Sequence, residues 1–449
     1  MTQLTRELGN FVAQLRYEKI PEDALNVIHM GFADCVGVML AGRGEAATGL
    51  MEQVLDPAPG SSTLVFGSRR AQAPEAAWIN GVAAHALDFD DVALRGHPST
   101  VLVPAILAEA ESLGASGRDM VVAYAAGYEV WADLARRDPD QHHNKGWHPT
   151  GIFGAIGAAA ACASLHKLDA EQCAMALALG ASQSAGIMAN FGTMTKPFHA
   201  GRSAHAGVVA ARLAKAGFTS SLDALEHNQG FMAAVSPVGR ADVNAPVEAG
   251  KAWKLLTAKL SVKKYPLCFC THRALDAMLD LLAEQEIEPV QVERITVSTS
   301  RRNATVLRNQ QPQTGLEAKF SMQFAMASAM IARRVGLGEL ADAFVQRPEV
   351  QALMRKVVVA PDDREDPALP GYAPYDLITV LLKDNRTIES RRVTTVRGGP
   401  DHPLSSDDLW AKFEDCAQVG GMQAARPLFD ALMALDQVGS VSAIPGLSK

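Results

Sequence analysis

The sequence has few of the features that mark several common protein classes. Of its 449 residues only six are cysteine and 6% are aromatic, and 42 basic residues face 49 acidic ones, which gives a net charge of -7. This charge gives no attraction to nucleic acid, and basic clusters with interleaved aromatics are missing. Thiols this sparse do not form a disulfide scaffold. We therefore expect reduced, buried cysteines, a cytoplasmic location and no nucleic-acid partner.

The sequence pattern also indicates no membrane-spanning run and no targeting segment. The apolar stretch at residues 151–165 is shorter than the roughly 20 residues that a membrane-spanning helix needs. Residues 1–17 carry charges throughout and lack the basic-then-apolar order of a signal peptide. We therefore expect no membrane partner. The chain length suits two domains.

Helical patterns dominate the first part of the chain. Pro21 suits a first helical position, and Gly42 suits a C-terminal stop. The glycines within residues 151–157 follow no strand, so their spacing indicates close helix packing rather than a dinucleotide loop. Further helices are predicted at residues 74–87, 99–113, 117–136, 150–167, 170–186 and 202–217.

The pattern changes near residue 260. Residues 292–299 alternate apolar and polar, which predicts a half-buried strand, and residues 356–360 predict another. Residues 377–394 predict a hairpin around an Asp-Asn turn. Helices are expected at 273–284 and 319–333. The predicted fold is mainly α with a smaller α+β domain: a large all-helical domain of residues 1–260, completed by 400–449, and an antiparallel-sheet lid domain of residues 261–399.

Two polar clusters lie in the predicted helical domain before residue 152. The first runs from His85 through three aspartates to Asp91 and continues through Arg95 to Ser99. A solvated loop with helix-capping aspartates is the alternative to a site there. The second ends in Trp147-His148-Pro149, where a proline-started helix offers free N–H groups to an anion such as a substrate carboxylate. Its three histidines could instead bind zinc, but no carboxylate or cysteine completes a usual spacing.

A third cluster runs from Gly192 to Arg202 and contains Thr193, Thr195 and Lys196. It lacks the residue order of a P-loop. A lysine placed between glycine, proline and apolar residues is a better candidate for a functional ammonium than for a solvent-facing one.

The fourth cluster, residues 263–272, contains Cys268, Cys270 and His272. In an extended segment these three side chains share one face, which would allow a metal site. The alternative is two packed thiols and one site histidine at the domain junction.

The four clusters occur in the same order in the MmgE/PrpD family, which this chain resembles from its N-terminal helices to its C-terminal tail. That family includes 2-methylcitrate dehydratase, cis-aconitate decarboxylase and iminodisuccinate epimerase. The resemblance implies a helical domain with an α+β lid and a homodimer. It places catalytic roles on Asp88, His97, His148, Lys196 and His272. Among the same motifs, the candidate substrate contacts are Asp91, Thr193, Thr195 and Arg202.

The motifs depart from the decarboxylases in the first cluster. Val92 stands where those enzymes have a threonine, and the loop to His97 is shorter. The residue order of the first and third clusters resembles that of the iminodisuccinate epimerase branch. Decarboxylation is therefore the least expected reaction.

The expected function is proton abstraction next to a carboxylate of a small di- or tricarboxylate, with dehydration first and epimerisation second. A decarboxylase or a catalytically silent carboxylate-binding protein is the further alternative. A base needs a pKa near neutral, so His148, His272, His97 or a desolvated Lys196 is a candidate, and Asp88 fits an orienting role. No metal and no other cofactor is predicted, since the cysteine spacing of an iron–sulfur site is missing.

Overall fold

The structure is a computed structural model that describes residues 3–367 and 371–447. Internal contacts divide the chain into two compact units. The larger unit runs to Val262 and resumes at Leu409, and the smaller unit is Lys263–Asp408. The sequence predicts two domains, residues 1–260 with 400–449 and residues 261–399. That these segments fold as independent domains stays a prediction.

The larger unit is helical. Two short antiparallel strands, β1 (Ser62–Thr63) and β2 (Arg70–Ala71), form its sheet structure in the described residues. Its helices before residue 262 are α1 (Leu4–Gln14), α2 (Glu22–Gly42), α3 (Ala46–Leu55), α4 (Ala73–Ala86), α5 (Ser99–Leu113), α6 (Gly117–Arg136), α7 (Pro149–Leu165), α8 (Ala170–Ser182), α9 (Thr195–Lys215), α10 (Phe231–Val235) and α11 (Lys254–Thr257).

Helices α4, α7 and α9 pack with their backbones close together. A Cβ on Gly201 of α9 would lie 2.3 Å from the carbonyl oxygen of Trp78 in α4. A Cβ on Gly207 would lie 2.3 Å from the Cβ of Ala158 in α7. Side chains larger than hydrogen therefore do not fit at these crossings. The glycines of residues 151–157 lie inside α7, as the packing interpretation predicts.

Helix α2 is long and apolar enough to cross a membrane, a property that the sequence reading did not assign to it. However, 83% of its apolar window is buried inside the protein. Its buried positions run almost without interruption from Val27 to Gly42. A helix that is apolar on all sides and covered on all sides is a core helix.

The smaller unit contains a four-stranded sheet in the order β4-β3-β5-β6. Its strands are β3 (Val292–Ser300), β4 (Val357–Asp362), β5 (Leu377–Leu382) and β6 (Thr387–Glu389). Its helices are α12 (His272–Glu284), α13 (Arg301–Val306), α14 (Gly315–Ala318), α15 (Met322–Ala332), α16 (Asp342–Val345) and α17 (Pro348–Met354). Helix α18 (Ser406–Val419) starts at the end of this unit, and α19 (Arg426–Met433) follows in the larger one.

The prediction of an all-antiparallel sheet needs one correction. The pairs β3–β5 and β5–β6 are antiparallel, but β3 and β4 run parallel. Parallel neighbours need a long crossover connection, and the helices between Ser300 and Val357 supply it. The fold class itself, mainly α with a smaller α+β part, is confirmed.

Two helix boundaries bear on the site. Helix α9 begins at Thr195 rather than at residue 202, because Pro197 is tolerated in a first helical turn. Lys196 is therefore a residue of the helix and not of a loop before it. Helix α8 ends at Ser182, four residues before the predicted end, so residues 183–194 connect α8 to α9.

Candidate active site

The C-terminal end of α4 places the first carboxylate of the site. The helix ends at Ala86, and Asp88 follows with a left-handed backbone at φ 52°. Aspartate adopts this conformation more readily than most residues, and it often follows a helix end. The turn directs Asp88 to the start of α9, where Lys196 Nζ lies 2.6 Å from Asp88 Oδ1. The two side chains are 10% and 17% exposed, so the ion pair is largely shielded from water.

Asp90 joins two histidines. Its Oδ1 lies 2.8 Å from His85 Nδ1, and its Oδ2 lies 2.6 Å from His97 Nδ1. Burial by itself would raise the pKa of Asp90, but the two imidazoles outweigh it and hold that pKa well below its usual range. Burial also lowers the pKa of His85 to about 4. The carboxylate is thus charged near neutral pH and orients both rings through their Nδ1 atoms.

His148 stands at the N-terminus of α7. Its Nδ1 lies 3.1 Å from Nδ1 of His199 on α9, so one of the two rings donates to the other. Burial, followed by the nearby Lys196 ammonium, lowers the pKa of His148 well below its usual value. The same two causes lower the pKa of His199. Both imidazoles are therefore neutral near pH 7.

These groups form one cluster. One ring nitrogen from each of His85, His97 and His148 lies within 4.8 Å of the others, and the same limit holds among His85, Asp88, Asp90 and His97. The ring of Phe191 closes the side near His148, with a centroid separation of 4.8 Å. Four of the five predicted catalytic residues thus lie together: Asp88, His97, His148 and Lys196.

Asp91 has a different environment. Its side chain is fully buried, and the Ser99 backbone N–H donates to its Oδ1 at 3.4 Å. Burial, and then the charge of Asp34, raises the pKa of Asp91 well above its usual value. The carboxylate lies in the interior of the unit, so its surroundings favour a structural role over the substrate contact predicted from the sequence.

The other predicted substrate contacts lie around the start of α9. The Thr193 hydroxyl donates to the Asn190 carbonyl at 2.8 Å and accepts from the Thr195 N–H at 3.2 Å, which shapes the turn before Lys196. The Arg202 guanidinium lies 5.4 Å from the ring centroid of Trp78. It also contacts His205 and Gln183. Their roles as substrate contacts stay predictions.

His272 is the first residue of α12 in the smaller unit. Its Nε2 lies 3.2 Å from the carbonyl oxygen of Leu267, and its ring packs against Tyr265 and Phe269. Its participation in the same site as Lys196 stays a prediction.

The sequence reading missed three residues of the cluster. His85 and Asp90 lie in the first motif, but the sequence does not show that a turn between them brings both to His97. His199 follows Lys196 by three residues, which places both on one face of α9 once the helix is known to start at Thr195. The histidines that could bind a metal are His85, His97 and His148 in the described chain, whereas the fully buried His142 packs on Phe153.

Comparisons with known proteins identify the family. The MmgE/PrpD N-terminal domain matches residues 6–243, and the MmgE/PrpD C-terminal domain matches residues 265–434. The fold and the cluster thus define a two-part, mainly helical protein with a histidine, lysine and aspartate site. The chain belongs to the MmgE/PrpD family.

Named relatives are similar over most of the chain. Cis-aconitate decarboxylase of Homo sapiens is 31% identical, with 78% of this chain and 74% of the relative covered. The Mus musculus enzyme of the same name is 29% identical over 79% of this chain and 74% of its own. The cis-aconitate decarboxylase-like protein oryM of Aspergillus oryzae is 25% identical over 99% of this chain and 97% of its own.

Proposed function

We propose that the protein is a lyase that dehydrates a small hydroxylated di- or tricarboxylate. The observation that carries this proposal is the grouping of the His148 and His97 imidazoles with the Asp88–Lys196 ion pair. The lowered pKa of His148 keeps its ring neutral but makes it a weaker base than the near-neutral one expected from the sequence. A neutral imidazole has a lone pair that can take a proton from carbon. A nearby cation stabilises the negative charge that then develops next to the carboxylate. Decarboxylation does not start with a base, so this combination favours proton abstraction.

Each group of the cluster has a role in this reaction. His148 is the base, and its hydrogen bond with His199 sets the orientation of its ring. Lys196, held by Asp88, binds the substrate carboxylate. His97 donates a proton to the leaving hydroxide. Asp90 supports that step because its carboxylate stabilises a positive charge on His97.

Two other reactions use the same groups differently. Epimerisation needs an acid and a base on opposite faces of one carbon, and the rings of His97 and His148 meet at 72° with centroids 6.4 Å apart. Decarboxylation needs only a proton donor after carbon dioxide leaves, and the names of the relatives support it. We place dehydration first because a poised acid and base are sufficient for it, whereas epimerisation also needs them on opposite faces of one carbon.

The three reactions are separated by incubation in deuterated water with 2-methylcitrate, citrate, malate-like hydroxy acids, iminodisuccinate and cis-aconitate. We expect an ultraviolet-absorbing alkene from a hydroxy acid. Deuterium at a stereocentre without alkene would show an epimerase. Carbon dioxide release from cis-aconitate, with no alkene from any hydroxy acid, would show a decarboxylase. Either of the last two results overturns the dehydratase proposal.

We also propose that the reaction needs no cofactor and that the enzyme is a homodimer. The acid–base and cationic groups of the cluster are sufficient for proton transfer and charge stabilisation. Exhaustive chelation is expected to leave turnover unchanged, with elemental analysis as the check. A stoichiometric metal whose removal stops turnover would contradict this, and light scattering tests the dimer.

A further inference from the structure

The histidines of the cluster have an arrangement that general acid–base catalysis does not require. Three imidazoles from different segments place one nitrogen each within 4.8 Å of the others. Only His97 has appreciable exposure, at 12% of its side chain. We propose that His85, His97 and His148 form a binding site for Zn²⁺ or a similar borderline transition metal, and that the bound metal inhibits the enzyme. Metal binding is independent of which reaction the enzyme catalyses, whereas inhibition rests on the proposed role of His148 as the base.

The hydrogen bonds of the three rings leave the same nitrogen available on each. Nδ1 of His85 and Nδ1 of His97 both face Asp90, and Nδ1 of His148 faces His199. The available ligand atom is therefore Nε2. In the described chain, Nε2 of His85 is buried and has no hydrogen-bond partner.

This pattern resembles the surroundings of metal-binding histidines. Such histidines usually contact a carboxylate through the nitrogen that does not bind the metal, and the carboxylate fixes the ring. Asp90 serves two of the rings in this way. Imidazole nitrogen is a preferred ligand of zinc, and three histidines with an open fourth position form a known type of zinc site.

The distances need a small adjustment on binding. Zinc–nitrogen bonds of about 2.0–2.1 Å place the nitrogens of a tetrahedral site roughly 3.4 Å apart. Side-chain rotations that move each ring nitrogen by about an ångström bring the nitrogens to this separation. Asp88 lies within the same limit of His85 and His97 but is not grouped with His148, so the fourth position of the site is open to water.

Inhibition follows from the same geometry. A bound metal occupies the lone pair of His148, the proposed base. The Lys196 ammonium repels a divalent cation, so we expect weaker binding than in structural zinc sites.

The test measures binding to the metal-free full-length enzyme without substrate, because polycarboxylates chelate metals. Calorimetry with Zn²⁺ is expected to show one ion per chain, and Co²⁺ to give the visible absorption of a nitrogen-bound site. Mg²⁺, which prefers oxygen ligands, should not compete. The variant His85→Gln should weaken Zn²⁺ binding by about tenfold or more. The matched control is His142→Gln, which removes a buried histidine outside the cluster and should leave binding unchanged.

Undetectable zinc binding, or equal weakening in both variants, overturns the proposal. If His85→Gln does not fold, as judged from its thermal melt, X-ray absorption at the zinc edge of the wild type decides. Three imidazole nitrogens at about 2.0–2.1 Å support the site. A sulfur shell assigns the zinc to cysteine and refutes it. Zinc-inhibited turnover should recover after chelation, and turnover that is unaffected by saturating zinc contradicts the inhibitory part.

Discussion

The larger and smaller units both bury polar side chains, but they use them differently. In the larger unit, three helices bring histidines, a lysine and two aspartates into one cluster. In the smaller unit, buried polar groups form smaller sets around single carboxylates. Asp376 lies 2.8 Å from Arg273 and accepts from Thr299. Asp276 accepts from Tyr265 and from the Arg397 backbone N–H. Burial alone therefore does not identify a site. The convergence of several ionisable groups identifies it, because neighbouring charges shift one another's pKa.

The largest expected effect concerns the cluster of the larger unit. Lys196→Met removes the cation that Asp88 holds, so turnover should fall about 10³-fold, within the usual range for acid–base and charge-stabilising groups. Steady-state kinetics measures the loss, and a thermal melt checks the fold. Lys215→Met, an exposed position at the other end of the same helix, is the matched control and should retain activity. Turnover of Lys196→Met within tenfold of the wild type would remove this cation from the mechanism.

A second variant tests whether the smaller unit contributes to the chemistry. His272→Gln should lower turnover by about 10²-fold while the melting temperature stays nearly unchanged, if the predicted catalytic role is right. His402→Gln, an exposed histidine of the same unit, is the control. A lower melting temperature with normal turnover would assign His272 to the packing of Tyr265 and Phe269 instead.

The smallest expected effect concerns a buried acid of the larger unit outside the cluster. Burial raises the pKa of Glu129 from 4.5 to about 7, and the Leu255 N–H donates to its Oε1 at 2.9 Å. Because this pKa is higher in the fold than in the unfolded chain, the free energy of unfolding contributed by Glu129 falls as pH rises from about 4.5 to about 7.

Glu129→Gln removes this dependence. Relative to the wild type, the variant should gain about 1–3 kcal/mol of unfolding free energy between pH 5 and pH 8, with turnover unchanged within twofold. Urea unfolding at the two pH values measures the difference. A parallel pH dependence in both proteins would show that Glu129 does not titrate there.

Much of the fold could be predicted from local patterns. The helices near 99–113 and 117–136 and the strand near 292–299 were confirmed, because periodicity and capping residues act over a few neighbouring positions. The parallel pairing of β3 with β4 could not be predicted, since the pairing of distant strands depends on the whole connection between them.

The site was predictable by motif but not by geometry. Asp88 and Lys196 were both proposed from their motifs, yet nothing in the sequence shows that they form an ion pair across 108 positions. His85 lay in the first cluster and His199 in the third, but neither was predicted as a site residue. Asp91, predicted as a substrate contact, lies in the interior instead. The side chains of adjacent residues in a turn point in different directions, and a sequence motif does not show which of them faces the site.

The close crossing of α9 with α4 and α7 has a consequence for changing specificity. At Gly201 and Gly207 the helices touch through backbone and methyl groups, so the spacing between the side chains of the cluster does not depend on an adjustable layer of larger residues. A single added methyl group there would displace a whole helix, and Lys196 and His199 would move with it. Variation of substrate preference is therefore best sought in the connection at residues 183–194, where exposed side chains such as Ile187 and Met194 can change size while the helices keep their positions.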